Sequence, residues 1–221
     1  MPSKTTQSLF LSTALLLGCT ASRDVRATGH EPIVGGPCEG CEAVFEGLPE
    51  HVPTRTRVAP ANEPGEPLRI EGRVTRRDGS PAPGTIVYVY HTDARGIYPQ
   101  DDALRGRAAQ RHGTLRGWAR ADSEGRYGFE TIRPASYPDT DVPQHVHVHV
   151  LEPGRCTYYV DPIEFTDDPL LPAAGTVPTP EGRGGSGIVT PRRDEHGTWL
   201  VERDIVLGLN IPGYPEPTSE P

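Results

Sequence analysis

Several things are scarce or missing in this 221-residue sequence, and each closes off a class of function. Positive charge is short: 22 Lys and Arg stand against 30 Asp and Glu, a formal net charge of −8. A protein that holds nucleic acid presents a basic footprint to the phosphates, so nucleic acid is excluded as a partner. The apolar run from Leu9 to Leu17 is too short to cross a bilayer as a stable helix. A second C-x-x-C is missing, so Cys38-Glu-Gly-Cys41 lacks the other half of a four-cysteine zinc site. The Gly-Gly-Pro before it offers no βαβ setting for a thioredoxin-type motif. The glycine-rich stretch Gly182 to Gly187 lacks the lysine and the following helix of a phosphate loop. No segment sustains a helical period, and there is no internal repeat.

What is abundant is turn chemistry. Gly and Pro number 25 each and are spread along the chain, as in short strands joined by turns. The N-terminus reads as a targeting segment: Lys4, the apolar run, then Leu16-Leu17-Gly18-Cys19, similar to a bacterial lipoprotein cleavage site. Residues 1–18 are then a signal peptide. A lipidated Cys19 ties the exported chain to a membrane surface, facing the periplasm or the cell exterior. An ordinary secretory signal cleaved nearby is the simpler alternative, and it also implies export. Residues 19–66 form a tether and N-terminal extension, residues 67–212 the folded domain, and residues 213–221 a C-terminal tail. Export favours a disulfide between two of Cys38, Cys41 and Cys156, with the third free and buried or tied elsewhere. The pairing stays open.

From Leu68 onward the pattern is β. Leu68, Ile70 and Val74 alternate before the Asp78-Gly79 turn, and Thr85 to Tyr90 is β-branched and aromatic. Gly117–Ala121, Tyr127–Ile132, Gln144–Leu151, Thr157–Phe165 and Thr198–Leu207 continue the series. About seven short strands with turn signals between them predict an all-β chain folded as a β-sandwich.

The densest chemistry lies in Pro143-Gln-His145-Val-His147-Val-His149-Val. In a strand, residues two apart share a face, so three imidazoles line one side and a valine stripe lines the other. Imidazoles at i and i+2 begin a metal site, by His145 and His147 or by His147 and His149. Tyr137, in Ser136-Tyr137-Pro138, and Tyr98, in Ile97-Tyr98-Pro99, bring phenols from loops that follow strands. Phenolate is a hard anion suited to ferric iron more than to zinc or cuprous copper. A copper or zinc site built on the three histidines is the weaker alternative. His91 and His112 have no evident partner and are expected at the surface, and Arg192 and Arg193 are expected in a solvated turn.

These pieces together resemble the intradiol ring-cleavage dioxygenases. The resemblance is carried by Asp78-Gly-Ser-Pro-Ala-Pro-Gly84, His91-Thr-Asp93 to Tyr98, and Arg116-Gly-Trp-Ala-Arg-Ala-Asp122. It continues through Gly125 to Tyr137-Pro138 and the Pro-x-His-x-His run, about Ile70 to Leu170 in all. The resemblance implies a β-sandwich holding one mononuclear non-haem Fe(III) on Tyr98, Tyr137, His145 and His147. It also implies O2-dependent opening of a small aromatic diol between its hydroxyl-bearing carbons. In that scheme Tyr137 is the displaceable axial tyrosine and takes a proton, Tyr98 and His145 are equatorial, and His147 is axial. A homo-oligomer is compatible with the resemblance.

Two positions depart from the family pattern. Val142 stands where an arginine commonly precedes Pro-x-His-x-His, and Pro162 replaces a polar residue of the next strand. Arg133 is the candidate to supply the missing positive charge in catalysis. The loss at Val142 motivates a second reading, an exported lipoprotein that keeps the sandwich and binds a metal or ligand with little or no turnover.

Overall fold

A computed structural model of the chain describes residues 30–38, 40–172 and 182–215. The signal segment, Cys19 and residues 216–221 lie outside the described residues. The described residues form eleven strands: β1 Arg55–Arg57, β2 Pro67–Thr75, β3 Ile86–Tyr90, β4 Arg116–Arg120, β5 Arg126–Ile132, β6 His145–Glu152, β7 Cys156–Phe165, β8 Ile188–Val189, β9 Arg192–Arg193, β10 Trp199–Glu202 and β11 Ile205–Val206. They make two sheets, one ordered β1-β5-β2-β10-β9 with β11 also on β2, the other β4-β3-β6-β7-β8. Among the described residues there is no α-helix, only 3-10 turns at Cys41–Val44, Asp102–Leu104 and Ala108–Arg111. The chain is an all-β sandwich, as expected from its sequence.

The core between the sheets follows from period-2 alternation. Val87, Val89, Val146, Val148, Val150, Tyr158 and Val160 face Leu68, Ile70, Val74, Tyr127 and Phe129 across it. Each such buried apolar side chain contributes about 1.5–3 kcal/mol. The other face of the β4–β8 sheet is also covered. Tyr88, Tyr90, Trp118 and Ile86 pack there against Val44, Phe45, Leu48 and Val52 of the N-terminal extension. The indole of Trp118 donates to the Val44 carbonyl (2.7 Å), and Arg116 donates to the carbonyls of Ala43 and Glu46 (3.2 and 2.8 Å). The segment of residues 50–67, which has no period of its own, wraps the domain: β1 pairs in parallel with β5, and Val58 enters the core.

The strands not anticipated are the short ones, β1, β8 and β9. Arg192 and Arg193 are exposed, as expected of a turn, yet they pair with β10, and Arg193 stacks over Trp199. The segment expected as one strand at Thr198–Leu207 is broken into β10 and β11 by Arg203 and Asp204. There the Asp204 carboxylate accepts the Arg73 amide (2.8 Å), a group that regular pairing would use otherwise.

Arg203 is buried at 1% exposure and acts as a clamp for the glycine-rich loop. Its guanidinium donates to the carbonyls of Gly184, Asp204, Asp161, Arg183 and Gly185. Removing it leaves several buried carbonyls without a donor. Arg203→Leu should cost about 1–3 kcal/mol in urea unfolding, the scale for buried acceptors left without their donor. A loss below 1 kcal/mol would show that the loop holds itself.

Candidate metal centre

Two loops and one strand end converge at the start of β6, the central strand of its sheet. The Tyr98 loop leaves β3 and is organised by Asp93, whose carboxylate takes the amides of Arg95 and Ile97 (2.8 and 3.1 Å). It also accepts the Arg95 guanidinium at 2.9 and 2.7 Å. Burial pulls the Asp93 carboxyl up, but these hydrogen bonds win and hold it below the usual carboxylate range. The Tyr137 loop leaves β5 and is sewn to the first loop. Ala135 N–H donates to Asp93 O (3.1 Å), and Thr92 Oγ1 donates to Ala135 O (2.7 Å). At Gly96, φ is +80°, and a Cβ there would lie 2.0 Å from the Ser136 carbonyl. The two tyrosine loops therefore touch backbone to backbone, and only glycine allows it.

The functional atoms meet at one place. Tyr98 Oη lies 2.6 Å from Tyr137 Oη and 3.0 Å from His147 Nε2. Tyr137 Oη is 3.1 Å from His145 Nε2 and 3.4 Å from His147 Nε2, and the two Nε2 atoms are 3.1 Å apart. Donors held about 2 Å from one ion, at angles between octahedral and tetrahedral, lie about 2.8–3.3 Å from one another. Three of the five spacings fall in that range, and the Tyr98–Tyr137 and Tyr137–His147 pairs lie 0.2 Å below and 0.1 Å above it. His145 Nδ1–H donates to the Pro143 carbonyl (2.7 Å), which leaves Nε2 with its lone pair facing the cluster. Burial, followed by the neighbouring His145, His149 and His91, pushes His147 down to about 3, so its ring is neutral and able to donate electrons. Burial, then the hydrogen bond to Tyr137, pushes the Tyr98 phenol well above its usual value. A cation is the partner that would stabilise its anion there.

The third histidine is elsewhere. His149 is buried, with Nδ1 3.7 Å from Cys41 Sγ and its ring edge-on to Tyr88. Of the two readings of the histidine ladder, the geometry brings together His145 and His147. The expectation that His91 and His112 are exposed is corrected: they are 0% and 1% exposed. His91 continues the count Val87, Val89 by two and so lands in the interior, bonded to Thr92 O and Thr131 Oγ1 at 2.7 Å each. That alternation was readable in the sequence. His112 follows the Ala108–Arg111 turn and stacks on Tyr90 at 3.6 Å, a placement no local pattern announces.

Arg133 is not brought to the cluster. Its guanidinium pairs with the Asp167 carboxylate (2.6 and 2.8 Å), donates to Gln144 Oε1 (2.8 Å), and stacks over Phe165 and Trp199. The catalytic charge expected of it is spent on Asp167, and it holds the residue before His145 instead. Pro162 faces His147 where the β6–β7 ladder slips, between the pairs Val146↔Ile163 and Val148↔Val160. A residue with no N–H suits such an irregularity. Val142 is 39% exposed beside this end. Cys38 and Cys41 form a disulfide, and Cys156 is free and buried, which closes the pairing question. A cavity of about 570 Å³ is lined by Arg77, Arg120, Glu152, Arg155 and Tyr214 among others and shares no residue with the cluster. The side-chain chemistry, not cavity size, identifies the site.

Comparison with known proteins shows the family and the fold. The family profile described as dioxygenase matches residues 43–180. The 6-chlorohydroxyquinol 1,2-dioxygenase of Cupriavidus pinatubonensis is 33% identical over 198 residues, covering 82% of this chain and 65% of that protein. Catechol 1,2-dioxygenase 1 of Acinetobacter lwoffii is 36% identical over 76 residues, 34% of this chain and 24% of that one. The chain thus spans less than two thirds of the length of these curated relatives. Among solved structures, 3-chlorocatechol 1,2-dioxygenase of Rhodococcus opacus matches with a TM-score of 0.56 at 19% identity, over 80% of this chain and 71% of that one. The dioxygenase domain of a carbohydrate-binding fusion from Streptomyces sp. SirexAA-E matches with a TM-score of 0.54 at 23% identity, over 73% of this chain and 94% of that one. At these identities the structural likeness speaks for the fold.

Two outcomes are expected from this geometry. Gly96→Ala combines a left-handed backbone with a clash against Ser136, and should cost about 2 kcal/mol or more in urea unfolding. An unchanged midpoint would contradict the packing of the two loops. Burial also depresses His91 to about 4, and His112, His147 and His149 to about 3 each. Their folded values lie below the unfolded one near 6.5. Stability is therefore complete above pH 6.5 and is lost as pH falls towards 4, by up to about 1.4 kcal/mol per pH unit per histidine. Urea titrations of chelator-treated protein at pH 7 and pH 5 check this, and equal midpoints would refute it.

Proposed function

The chain belongs to the intradiol ring-cleavage dioxygenase family, and on that premise we propose that it cleaves a catecholic aromatic between its two hydroxyl-bearing carbons with O2. One observation carries the reading: the oxygens of Tyr98 and Tyr137 and the Nε2 atoms of His145 and His147 converge within 2.6–3.4 Å. Two hard phenol oxygens with two imidazoles suit a mononuclear non-haem ferric ion. Bound there, such an ion supplies acidification of the diol and activation of the ring towards O2.

The chain's own residues do the rest. Tyr98 and His147 form the inner part of the site, where Tyr90 stacks on the His147 ring at 4.4 Å and fixes its plane. Tyr137 hangs from a loop whose tip, Pro138 to Thr140, is exposed. Its Oη stands 2.6–3.4 Å from the other three ligand atoms, and as a phenolate it would accept a proton from the diol as the substrate settles. All four side chains are partly exposed, which gives a small planar diol a path to them. Ile97 (47% exposed) and Val142 (39% exposed) flank the tyrosine and histidine segments and offer apolar surface to an aromatic ring. The names of the relatives, catechol, hydroxyquinol and chlorocatechol dioxygenases, favour a small monocyclic diol.

We also place the protein outside the cytoplasm, held to a membrane by a lipidated Cys19. The Leu16-Leu17-Gly18-Cys19 pattern and the Cys38–Cys41 disulfide support this.

The test is oxygen consumption by iron-loaded protein with a panel of simple and substituted catechols, followed alongside the visible spectrum. Expected are a broad tyrosinate-to-iron band and one O2 consumed per ring lost. Tyr137→Phe should lower kcat about 10²–10⁴-fold. His147→Ala should weaken iron binding by at least about 10–100-fold and bleach the band. A colourless iron-loaded protein would sink the ligand set. A spectral shift with catechol but no O2 uptake would turn the reading into the ligand-binding one. Export is checked separately by Cys19→Ala, which should release the protein from the membrane fraction; a variant that stays there would refute the anchor.

A further inference from the structure

The third histidine of β6 belongs to a second constellation, on the same sheet face but away from the tyrosines. Cys38 Sγ, Cys41 Sγ and one ring nitrogen of His149 lie within 4.8 Å of one another. Cys41 Sγ is 3.7 Å from His149 Nδ1. In a tetrahedral zinc site, with sulfur about 2.3 Å and nitrogen about 2.05 Å from the ion, those two ligand atoms stand about 3.6 Å apart.

An independent observation points to the same place. His112 Nε2 is buried and has no hydrogen-bond partner. Its ring is held from the other side by Tyr88 Oη, 2.8 Å from Nδ1. A Cβ built on Gly40, inside the C-x-x-C loop, would lie 3.0 Å from that Nε2. The orphaned nitrogen thus lies against Gly40 of the loop that carries both sulfurs, outside the 4.8 Å group, and would join it as the reduced loop opens. An imidazole fixed through Nδ1 with a free Nε2 is the usual state of a metal-ligating histidine. Cys156, the remaining described thiol, packs in the core between the sheets, on the opposite face from His149.

We propose that, once the Cys38–Cys41 disulfide is reduced, Cys38, Cys41, His149 and His112 form a tetrahedral thiolate–imidazole site for a divalent ion of the zinc class. The oxidised chain closes this site, because both sulfurs are committed to each other. A dithiol reductant opens it, giving two electrons and two protons to the S–S bond and becoming a disulfide itself. The ion then displaces the two thiol protons, and two neutral imidazoles complete its shell. Half-buried Cys38 and Gly40 give reductant and ion a route in. The site is independent of the reading of the tyrosine–histidine centre, which contains no sulfur.

The test titrates the full chain with Co2+ after reduction by a dithiol and its anaerobic removal. Expected is one additional ion per reduced chain, with a near-ultraviolet sulfur-to-cobalt band and strong tetrahedral visible bands, both displaced by Zn2+. The oxidised chain, identical in sequence, should show no sulfur band. His149→Ala and His112→Ala should weaken binding by at least about 10-fold while keeping the sulfur band. Cys38→Ser should lose about half of that band and bind still more weakly. Zn2+ should also raise the urea midpoint of the reduced chain by more than that of the oxidised chain. The proposal fails if reduced protein gives no sulfur band, or if the oxidised chain gives the same one. It fails equally if Cys38→Ser leaves the band intact, or if reduction unfolds the chain and Zn2+ does not restore it.

Discussion

The register of β6 is the constraint on which the rest of the structure depends. Its valines at 146, 148 and 150 are buried between the sheets, while its histidines at 145, 147 and 149 share the other face. A slip of one residue would drive three imidazoles into an apolar core and push three valines out, so burial of the valines fixes where the histidines point. Chemistry on one face is held in place by hydrophobicity on the other. The ladder then separates the three histidines. Between Val146 and Val148 the pairing with β7 is irregular, with Asp161 and Pro162 set against His147. Irregularities of this kind twist a strand locally. His145 and His147, at that end, meet the tyrosine loops; His149, in the regular ladder opposite Tyr159, does not.

A sheet face carrying Tyr88, Tyr90, Trp118 and imidazoles needs a cover, and the N-terminal extension supplies one. Trp118 and Arg116 hold its backbone by hydrogen bonds, and the Glu46 carboxylate accepts the amides of Ala108 and Ala109 (3.2 and 2.9 Å). That last contact fixes the turn from which His112 emerges. The extension therefore orders its own Cys38–Cys41 loop and, far along the chain, the His112 turn against β6.

Much of this was legible because it is local. Six strands from β2 to β7 follow from alternation and β-branched runs, and the two Tyr-Pro loops with the histidine ladder announce the cluster. The short strands were not legible, because two or three residues carry too little pattern. The break at Arg203–Asp204 depends on carbonyls from a distant loop. Arg133 looked available beside the motif, but a carboxylate 34 positions later, Asp167, takes its charge. His91 was readable by extending the alternation of β3 one step further. His112 was not, since its burial arises only when a 3-10 turn packs on a sheet.

Tyr90 shows how closely the two ends of the histidine face are joined. Its ring is stacked on His112 at 3.6 Å and on His147 at 4.4 Å, nearly parallel to both. Burial raises its phenol above the usual value, so the spacer between two imidazoles is a neutral, rigid plane rather than a charge. Flat rings packed face to face resist tilting, since a tilt of one must displace the next. The orientation of His147 is thereby set from behind by a stack that reaches His112, whose Nδ1 is in turn held by Tyr88. Positioning at the tyrosine–histidine cluster is a property of this whole aromatic row, and His112, three side chains away from Tyr137, belongs to the same mechanical unit.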